Sequence, residues 1–153
     1  MPHEIQIRPG TIDDAARIAA FQQAMAAETE DKPLDGEVVL RGVQGLLARP
    51  DHGFYLVAQR GEDVAGSLMV TPEWSDWRNG FFWWIQSVYV DRAHRRAGVY
   101  RALYDEVRRR AAAEEGVIGI RLYVERENEG ARSVYRRLGM AETPYRLYES
   151  SLD

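Results

Sequence analysis

The arginine-rich segment that follows Val90 has the residue types that bind a phosphate group. An apolar run ends at Val90, and a helical pattern of apolar residues begins at Gly98. The first N–H groups of a helix have no partner inside the helix, and the helix dipole favours an anion there. Gly98 also lets an anion approach the backbone. Positive charge near this helix start comes from Arg95, Arg96 and Arg101. The segment therefore predicts a site for one small polyanion.

Other phosphate-binding motifs do not match this segment. No Gly-Lys-Ser or Gly-Lys-Thr follows it, which argues against a Walker loop, and the G-x-G-x-x-G pattern of dinucleotide sites is absent. A second interpretation stays open, in which these arginines only solvate the start of a helix. For Arg108, Arg109 and Arg110, farther along the same helix, the solvating role is the favoured interpretation.

The composition narrows the classes of protein further. The chain has 153 residues and a formal net charge of −4, which makes it a poor candidate for binding nucleic acid. It contains no cysteine, which excludes disulfides, thiolate metal sites and an acyl-cysteine intermediate. The missing cysteines and the lack of a signal pattern near the start fit a cytoplasmic protein. No apolar run approaches the roughly 20 residues of a membrane span. His3, His52 and His94 lack the spacing of metal ligands, so no metal site is expected.

The first part of the chain predicts a strand followed by two helices. Alternating apolar residues at 5–7 predict a short strand, and Thr11 with Asp14 approximates a capping box at the start of the first helix. An acidic link at residues 28–31 is expected to separate this helix from the second one, which Pro50 ends.

The middle of the chain predicts a hairpin and a long central strand. β-Rich runs at residues 54–59 and 64–70 are joined by a short turn, which is typical of a hairpin. The apolar and aromatic run at 81–90 suits a central strand. A helix that begins at Gly98 then leads to an alternating strand at 117–124.

The element order predicts one α/β domain over residues 1–153. Asn128 is the expected cap of a last helix, which ends at Gly139, and residues 145–148 are the candidate for a final strand. The order β-α-α-β-β-β-α-β-α-β implies a mixed, mostly antiparallel sheet with helices on both faces. The connection through the Gly98 helix is expected to be a right-handed parallel βαβ unit, whose strand ends form the natural ligand crevice.

Two sequence blocks have the pattern of a known family. The first block is the strand Gln86-Ser87-Val88-Tyr89-Val90 followed by Arg95-x-x-Gly98-x-Tyr100. The second block is Asn128-x-x-Ala131-x-x-x-Tyr135-x-x-x-Gly139-Met140. Both blocks resemble the GCN5-related N-acetyltransferases. The resemblance covers nearly the whole chain and is strongest between residues 81 and 140. It also includes the element order, and it implies transfer of an acetyl group from acetyl-CoA to an amine.

The resemblance also implies roles for individual residues. Tyr135 would protonate the leaving CoA thiolate, and Asn128 would contact the pantetheine or phosphate region. The central strand would pair with the pantetheine arm, and one of its amides would polarise the thioester carbonyl; these strand residues are Val88, Tyr89 and Val90. The pyrophosphate would lie at the helix start, which comprises Arg95, Arg96, Ala97, Gly98, Val99, Tyr100 and Arg101. With no cysteine in the chain, direct attack by the amine in a ternary complex is the simpler route.

Two positions depart from the family pattern. Tyr100 stands where the family usually has glycine or alanine. Its backbone amide can still bind the cofactor if the backbone is helical; the alternative is that its side chain crowds the cofactor. Gln86 stands where the family often has a glutamate base, and an amide cannot take a proton. The base is then elsewhere, or a water chain serves. Glu28 is the favoured candidate over Glu30, either as substrate anchor or as base.

Aromatic residues point to the acceptor. All four tryptophans lie between positions 74 and 84. With strict alternation, one face of the central strand carries Phe82, Trp84 and Gln86. The other face carries Trp83, Ile85 and Ser87. Aromatic walls near carboxylates suit a cationic amine, so the expected acceptor is a small-molecule amine, although Arg78 argues against a purely cation-selective pocket.

Two alternative functions stay open at this point. The first is a module of the same fold that binds acyl-CoA as a sensor and does not transfer the acyl group. The second is a protein or peptide N-acetyltransferase, which needs an open groove in place of a walled pocket. A homodimer through exposed strands or the C-terminal segment is compatible with the sequence.

Overall fold

The computed structural model describes residues 4–153, so His3 lies outside the described residues. These residues form two compact units. The first ends at Leu122, and the second runs from Tyr123 to Asp153. Among residues 4–153, no helix is long and apolar enough to cross a membrane.

The first unit is built on one mixed sheet. Within the described residues the strand order is β1-β2-β3-β4-β5; the first three pairs are antiparallel, and β4 with β5 is parallel. The strands are β1 (Ile5–Pro9), β2 (Phe54–Arg60), β3 (Asp63–Ser75), β4 (Gly80–Val90) and β5 (Val117–Arg121). This arrangement confirms the predicted mixed sheet and its parallel crossover. The predicted hairpin is also present, because Arg60 pairs with Asp63 across a turn in which Gly61 has a φ of 60°.

Helices α1 (Ala15–Glu30) and α2 (Gly36–Leu47) cover one face of the sheet. Ile18 of α1 and Val43 of α2 form a core cluster with Tyr55 and Val57 of β2. Successive strand residues point to opposite faces, so the fully buried Leu56 points away from this cluster.

Helix α3 (Val99–Ala113) contacts every strand of the sheet and buries the apolar stripe that its spacing predicts. That stripe consists of Val99, Leu103, Val107 and Ala111.

Three boundaries differ from those predicted. Helix α1 continues through Glu28 to Glu30 because nothing breaks it before Asp31, whose φ of 49° ends it; the acidic link is therefore shorter than expected. Strand β3 extends five residues past its predicted end to Ser75, because β4 pairs with it along that length. Strand β5 ends at Arg121 rather than at residue 124, where its pairing with β4 stops.

The second unit contains helix α4 (Glu129–Arg137). Asn128 caps this helix, since its Oδ1 accepts a hydrogen bond from the Ala131 amide at 3.1 Å. The left-handed Gly139, with a φ of 89°, follows its end. The predicted strand at 145–148 is wrong, because these residues take part in no ladder and a strand exists only by pairing.

Candidate functional site

Strand β4 contains a bulge beside its carboxyl end. Gln86 pairs with Met69, and Tyr89 pairs with Ser67, so the two residues between them on β4 oppose one residue on β3. Ser87 has a φ of 54°, which is uncommon for a residue other than glycine. Strict alternation therefore fails at Ser87. Beyond the bulge, Tyr89 faces α1, where its ring lies 5.3 Å from that of Phe21.

The sheet opens next to this bulge. The pairing of β4 with β5 ends at Trp84, so no strand of the described residues pairs with this side of β4 from Ile85 to Val90. The Asp91 amide donates to the Ala65 carbonyl of β3 at 2.8 Å. Because neighbouring residues of a strand point to opposite edges, the Val90 amide and carbonyl face the open edge. This is the backbone edge at which the family resemblance implies pairing with an extended ligand.

The turn between β4 and α3 alternates in backbone handedness. Arg96 has a φ of 63°, and Gly98, which caps α3, has a φ of 83°. Such alternation makes successive N–H groups converge on a concave surface that binds anions. A side chain built on Gly98 would meet no atom within 4 Å, so the space in front of this helix start is open. The residues of the predicted phosphate site are therefore brought together at an exposed helix start.

The side chains of the helix start are already engaged in different ways. Val99 is buried and offers only its backbone. Arg101 pairs with Asp105 at 3.1 Å on the solvent side of α3. The Tyr100 hydroxyl is buried, so this side chain does not project into the open space in front of the helix.

Glu28 lies at the centre of a charged network. The Tyr89 hydroxyl donates to Glu28 Oε2, and Arg95 Nη2 donates to Glu28 Oε1 at 2.9 Å. Arg92 Nε also donates to Oε1, at 3.4 Å. The hydrogen bond from Tyr89, followed by that from Arg95, lowers the pKa of Glu28 to about 2. A carboxylate with this pKa is a weak base at neutral pH, so the network favours an anchoring role over proton transfer.

Gln86 is held by its neighbour on β3. Its Nε2 donates to Thr71 Oγ1 at 2.5 Å, and the side chain is half-buried. This geometry matches a hydrogen-bonded amide of the sheet, placed on the face that α1 and α2 cover.

The aromatic residues do not form one wall. Trp77 is exposed in the connection between β3 and β4, and Trp74 is exposed near the end of β3. Trp83 packs edge-on against Phe54 at 5.2 Å. The ring of Phe82 already holds two cations of the chain itself. Arg121 lies 3.6 Å from its centroid, and Arg78 lies 5.3 Å from it. Phe82 therefore does not offer a free face to a cationic amine.

The second unit carries the other two predicted site residues. Asn128 performs the capping role described above, and Tyr135 is half-buried on α4. Their roles toward a ligand stay predictions. Among residues 4–153 no group of three or more His, Asp or Glu side chains has an arrangement that could hold a metal ion.

Arg17 and Phe21 were missed by sequence reasoning. Arg17 of α1 pairs with Asp91 at 2.9 Å, and Phe21 packs on Tyr89. A signal was present, because positions 17, 21 and 28 are spaced to lie on one face of a helix. The sequence does not show that this face meets the turn after β4, since the contacting residues are more than 60 positions apart.

The sequence and the fold match known acetyltransferases. The model of the acetyltransferase (GNAT) family matches residues 16–140. A structure of a possible acetyltransferase from Clostridium difficile 630 is similar at 43% identity, with 97% of this chain and 98% of that chain covered and a TM-score of 0.92. No curated protein matches the sequence.

More distant structures share the fold. One is the ribosomal-protein-alanine N-acetyltransferase from Brucella melitensis biovar Abortus 2308, at 19% identity over 98% of this chain and 100% of that chain, with a TM-score of 0.78. Another is the aminoglycoside acetyltransferase HMB0005 from an uncultured soil metagenomic sample, at 18% identity over 97% and 99%, with a TM-score of 0.71.

Proposed function

Because this chain belongs to the GNAT family of acetyltransferases, we propose that it transfers an acetyl group from acetyl-CoA to the amine of a small molecule. One observation carries the proposal: the open edge of β4 leads directly into a turn of alternating handedness at the start of α3. An extended arm that ends in a diphosphate matches this order of a strand edge followed by an anion-binding turn. The lack of cysteine supports a cytoplasmic location.

The residues present fit acetyl-CoA. The Val90 amide faces the open edge and suits pairing with the pantetheine arm, whereas the Val90 carbonyl already accepts a hydrogen bond from Arg95 Nε at 2.9 Å. Val88 lies in the adjoining bulge, where its backbone is proposed to pair with the same arm. The backbone amides of residues 96–101 suit the diphosphate, because Gly98 leaves open space in front of them. Arg95 and Arg96 add positive charge there. Asn128 is proposed to contact the same ligand while it caps α4.

The proposed reaction is direct attack. The lone pair of a neutral amine forms a bond to the thioester carbon, and the carbon–sulfur bond then breaks. A β4 amide next to the bulge is proposed to donate to the oxyanion. The Tyr135 hydroxyl is proposed to give its proton to the leaving thiolate. The amine proton passes to water, because Gln86 cannot take a proton and Glu28 is a weak base.

A second candidate function is an acyl-CoA sensor with no transfer activity. The family often has a glutamate base at the position of Gln86. Here that position carries an amide, which hydrogen-bonds to Thr71 within the sheet, and this favours the sensor. The sensor would use the same strand edge and the same turn, and it would bind acetyl-CoA without releasing the thiol.

Release of the CoA thiol distinguishes these functions. Acetyl-CoA is incubated with the protein and a panel of small amines, and the free thiol is measured against hydrolysis without amine. Release above hydrolysis with a small amine supports the proposal. Release only with peptides, at a clear sequence preference, assigns a peptide acetyltransferase instead. Binding without release from any acceptor assigns the sensor. With an active amine, intersecting initial-velocity lines support direct attack, and parallel lines contradict it.

A further inference from the structure

The turn at residues 91–98 needs support from its neighbours. Arg96 is not a glycine, and a left-handed backbone costs free energy for any other residue. Such a conformation persists where the surrounding structure holds it. Within the turn, the His94 amide donates to the Asp91 carbonyl at 2.8 Å and the Arg95 amide donates to the Arg92 carbonyl at 3.4 Å. Further support comes from the side chains of other elements.

Helix α1 presents three side chains toward this turn. Arg17, Phe21 and Glu28 follow one another at intervals of four and seven residues, which places them on one face of the helix. Eleven residues of helix span about 16 Å, so Arg17 and Glu28 reach different residues of the turn. We call these three residues the α1 clamp.

The charges of the α1 clamp complement those in the first five residues of the turn. The cation Arg17 meets the anion Asp91 at 2.9 Å. Farther along the helix, the anion Glu28 meets the cations Arg95 at 2.9 Å and Arg92 at 3.4 Å. Each charge of the helix therefore faces a charge of opposite sign in the turn.

The middle of the α1 clamp packs against the strand that leads into the turn. The Phe21 ring lies 5.3 Å from that of Tyr89, and the Arg17 guanidinium lies 4.4 Å above the Phe21 ring. Arg95 is held at three points, because it also donates from Nε to the Val90 carbonyl at 2.9 Å and lies 5.3 Å over the Tyr89 ring. These contacts fix Arg95, which directly precedes the left-handed Arg96.

We propose that the α1 clamp pre-organises the 91–98 turn for a diphosphate, and that Glu28 is a positioning residue which acts on the cofactor through Arg95. The inference rests on the proposed use of acetyl-CoA. Binding to a turn that is already held in shape costs less conformational entropy than binding to a turn that must first be ordered. Helix α1 thereby contributes to the affinity for the cofactor.

The direction in which Glu28→Gln changes the affinity for CoA distinguishes a positioning role from a purely electrostatic one. Glu28→Gln removes a negative charge beside a site for a polyanion. If charge alone mattered, the variant would bind CoA more tightly. If Glu28 holds the turn through Arg95, the variant binds CoA more weakly despite the added net positive charge.

The experiment is a calorimetric titration of CoA into the wild type, Glu28→Gln and a matched control. Glu106→Gln is the control, because Glu106 is also a carboxylate held by two arginines, and its pKa is likewise lowered to about 2 by Arg109 and then Arg110. We expect Glu28→Gln to raise the Kd of CoA about three- to tenfold. The Kd of CoA for Glu106→Gln is expected to stay within about twofold of the wild-type value, since Glu106 lies about two helical turns beyond the start of α3.

Amide hydrogen exchange of the free protein gives a second readout. Residues 91–98 are expected to exchange faster in Glu28→Gln and in Arg17→Gln, while the strands of the sheet keep their protection. This pattern would separate a loosened turn from a general loss of stability. The same measurement on Glu106→Gln is expected to leave residues 91–98 unchanged.

Three outcomes overturn the inference. An unchanged or lower Kd for CoA in Glu28→Gln, with unchanged exchange in the turn, removes the positioning role and leaves the proposed function standing. Lower turnover at an unchanged Kd assigns Glu28 to the acceptor or to proton transfer instead. If the wild type itself binds no CoA, the proposed function fails, and the inference fails with it.

Discussion

Gly98 offers the sharpest single test of the turn, because its role is conformational. Its φ of 83° is in the left-handed region, and a Cβ placed there would meet no atom within 4 Å. Gly98→Ala therefore adds no clash inside the protein and changes only the cost of the backbone conformation. That cost is about 1 kcal/mol for alanine at such a position. For a chain of this size it corresponds to a fall of about 2–4 °C in Tm.

The affinity for acetyl-CoA is expected to fall by more than the stability. The methyl group of Gly98→Ala would occupy the open space in which the proposed diphosphate meets the backbone amides. We expect the Kd of acetyl-CoA to rise at least about tenfold, which corresponds to about 1.4 kcal/mol. Thermal unfolding followed by circular dichroism gives the stability, and calorimetry gives the Kd.

Gly42→Ala is the matched control, because it makes the same change where the backbone permits it. Gly42 lies within α2, has no positive φ and would also meet no atom within 4 Å. Alanine in a helix interior is favoured over glycine by about 0.8–1 kcal/mol, so Gly42→Ala should raise Tm and leave the Kd unchanged. The reasoning is refuted if Gly98→Ala melts at or above the wild-type Tm, or if it binds acetyl-CoA with wild-type affinity.

Three further predictions test other parts of the account. Tyr135→Phe should lower kcat by about 100-fold or more while the Kd of acetyl-CoA changes little; an unchanged kcat would remove Tyr135 as the acid. The hydrogen bond from Arg8 lowers the pKa of buried Asp14, so the stability that ionised Asp14 contributes is present above about pH 4 and is lost as the pH falls through the lowered pKa. Asp14→Asn should therefore lower Tm at pH 7 and converge on the wild type in acid; an equal deficit at both pH values would contradict this. Gly119→Ala places a Cβ 2.8 Å from the Phe82 ring and should cost about 1–3 kcal/mol in unfolding free energy measured by denaturant titration, whereas a neutral result would show that the ring moves freely.

Much of the fold could be predicted because its signals are local. The hairpin turn at Gly61, the start of α3 at Gly98 and the Asn128 cap each follow from the conformational or hydrogen-bonding chemistry of a few neighbouring residues. The apolar stripe of α3 follows from helical spacing alone. These features need no information about distant parts of the chain, and the structure confirms them.

The features that were missed depend on distant partners. The bulge at Ser87 arises from how β4 aligns with β3, so alternation read from one strand gives the wrong face there. The candidate strand at 145–148 has suitable residues but no ladder, and composition does not reveal whether a partner strand exists. The predicted end of α1 falls too early for a local reason, because acidic residues indicate a polar segment but carboxylates do not break a helix.

The candidate site divides in the same way. The place of the turn before α3 could be predicted, because an arginine-rich segment before a helix that starts with glycine has a direct physical meaning; its use as an anion site stays a prediction. The Glu28 network was predicted only as one acidic residue near the acceptor. Its partners Tyr89, Arg92 and Arg95 come from another part of the chain, and of the two expected roles, anchor or base, they favour the anchored anion.

Calorimetric titration of the wild-type protein with acetyl-CoA tests the central claim most directly. We expect a saturable binding curve with one molecule bound per chain and a Kd in the micromolar range, about 1–100 µM. We also expect Gly98→Ala to weaken this binding and Gly42→Ala to leave it unchanged. Absence of any saturable heat at millimolar acetyl-CoA, with the protein folded, would contradict the claim that the β4 edge and the turn before α3 form a cofactor site.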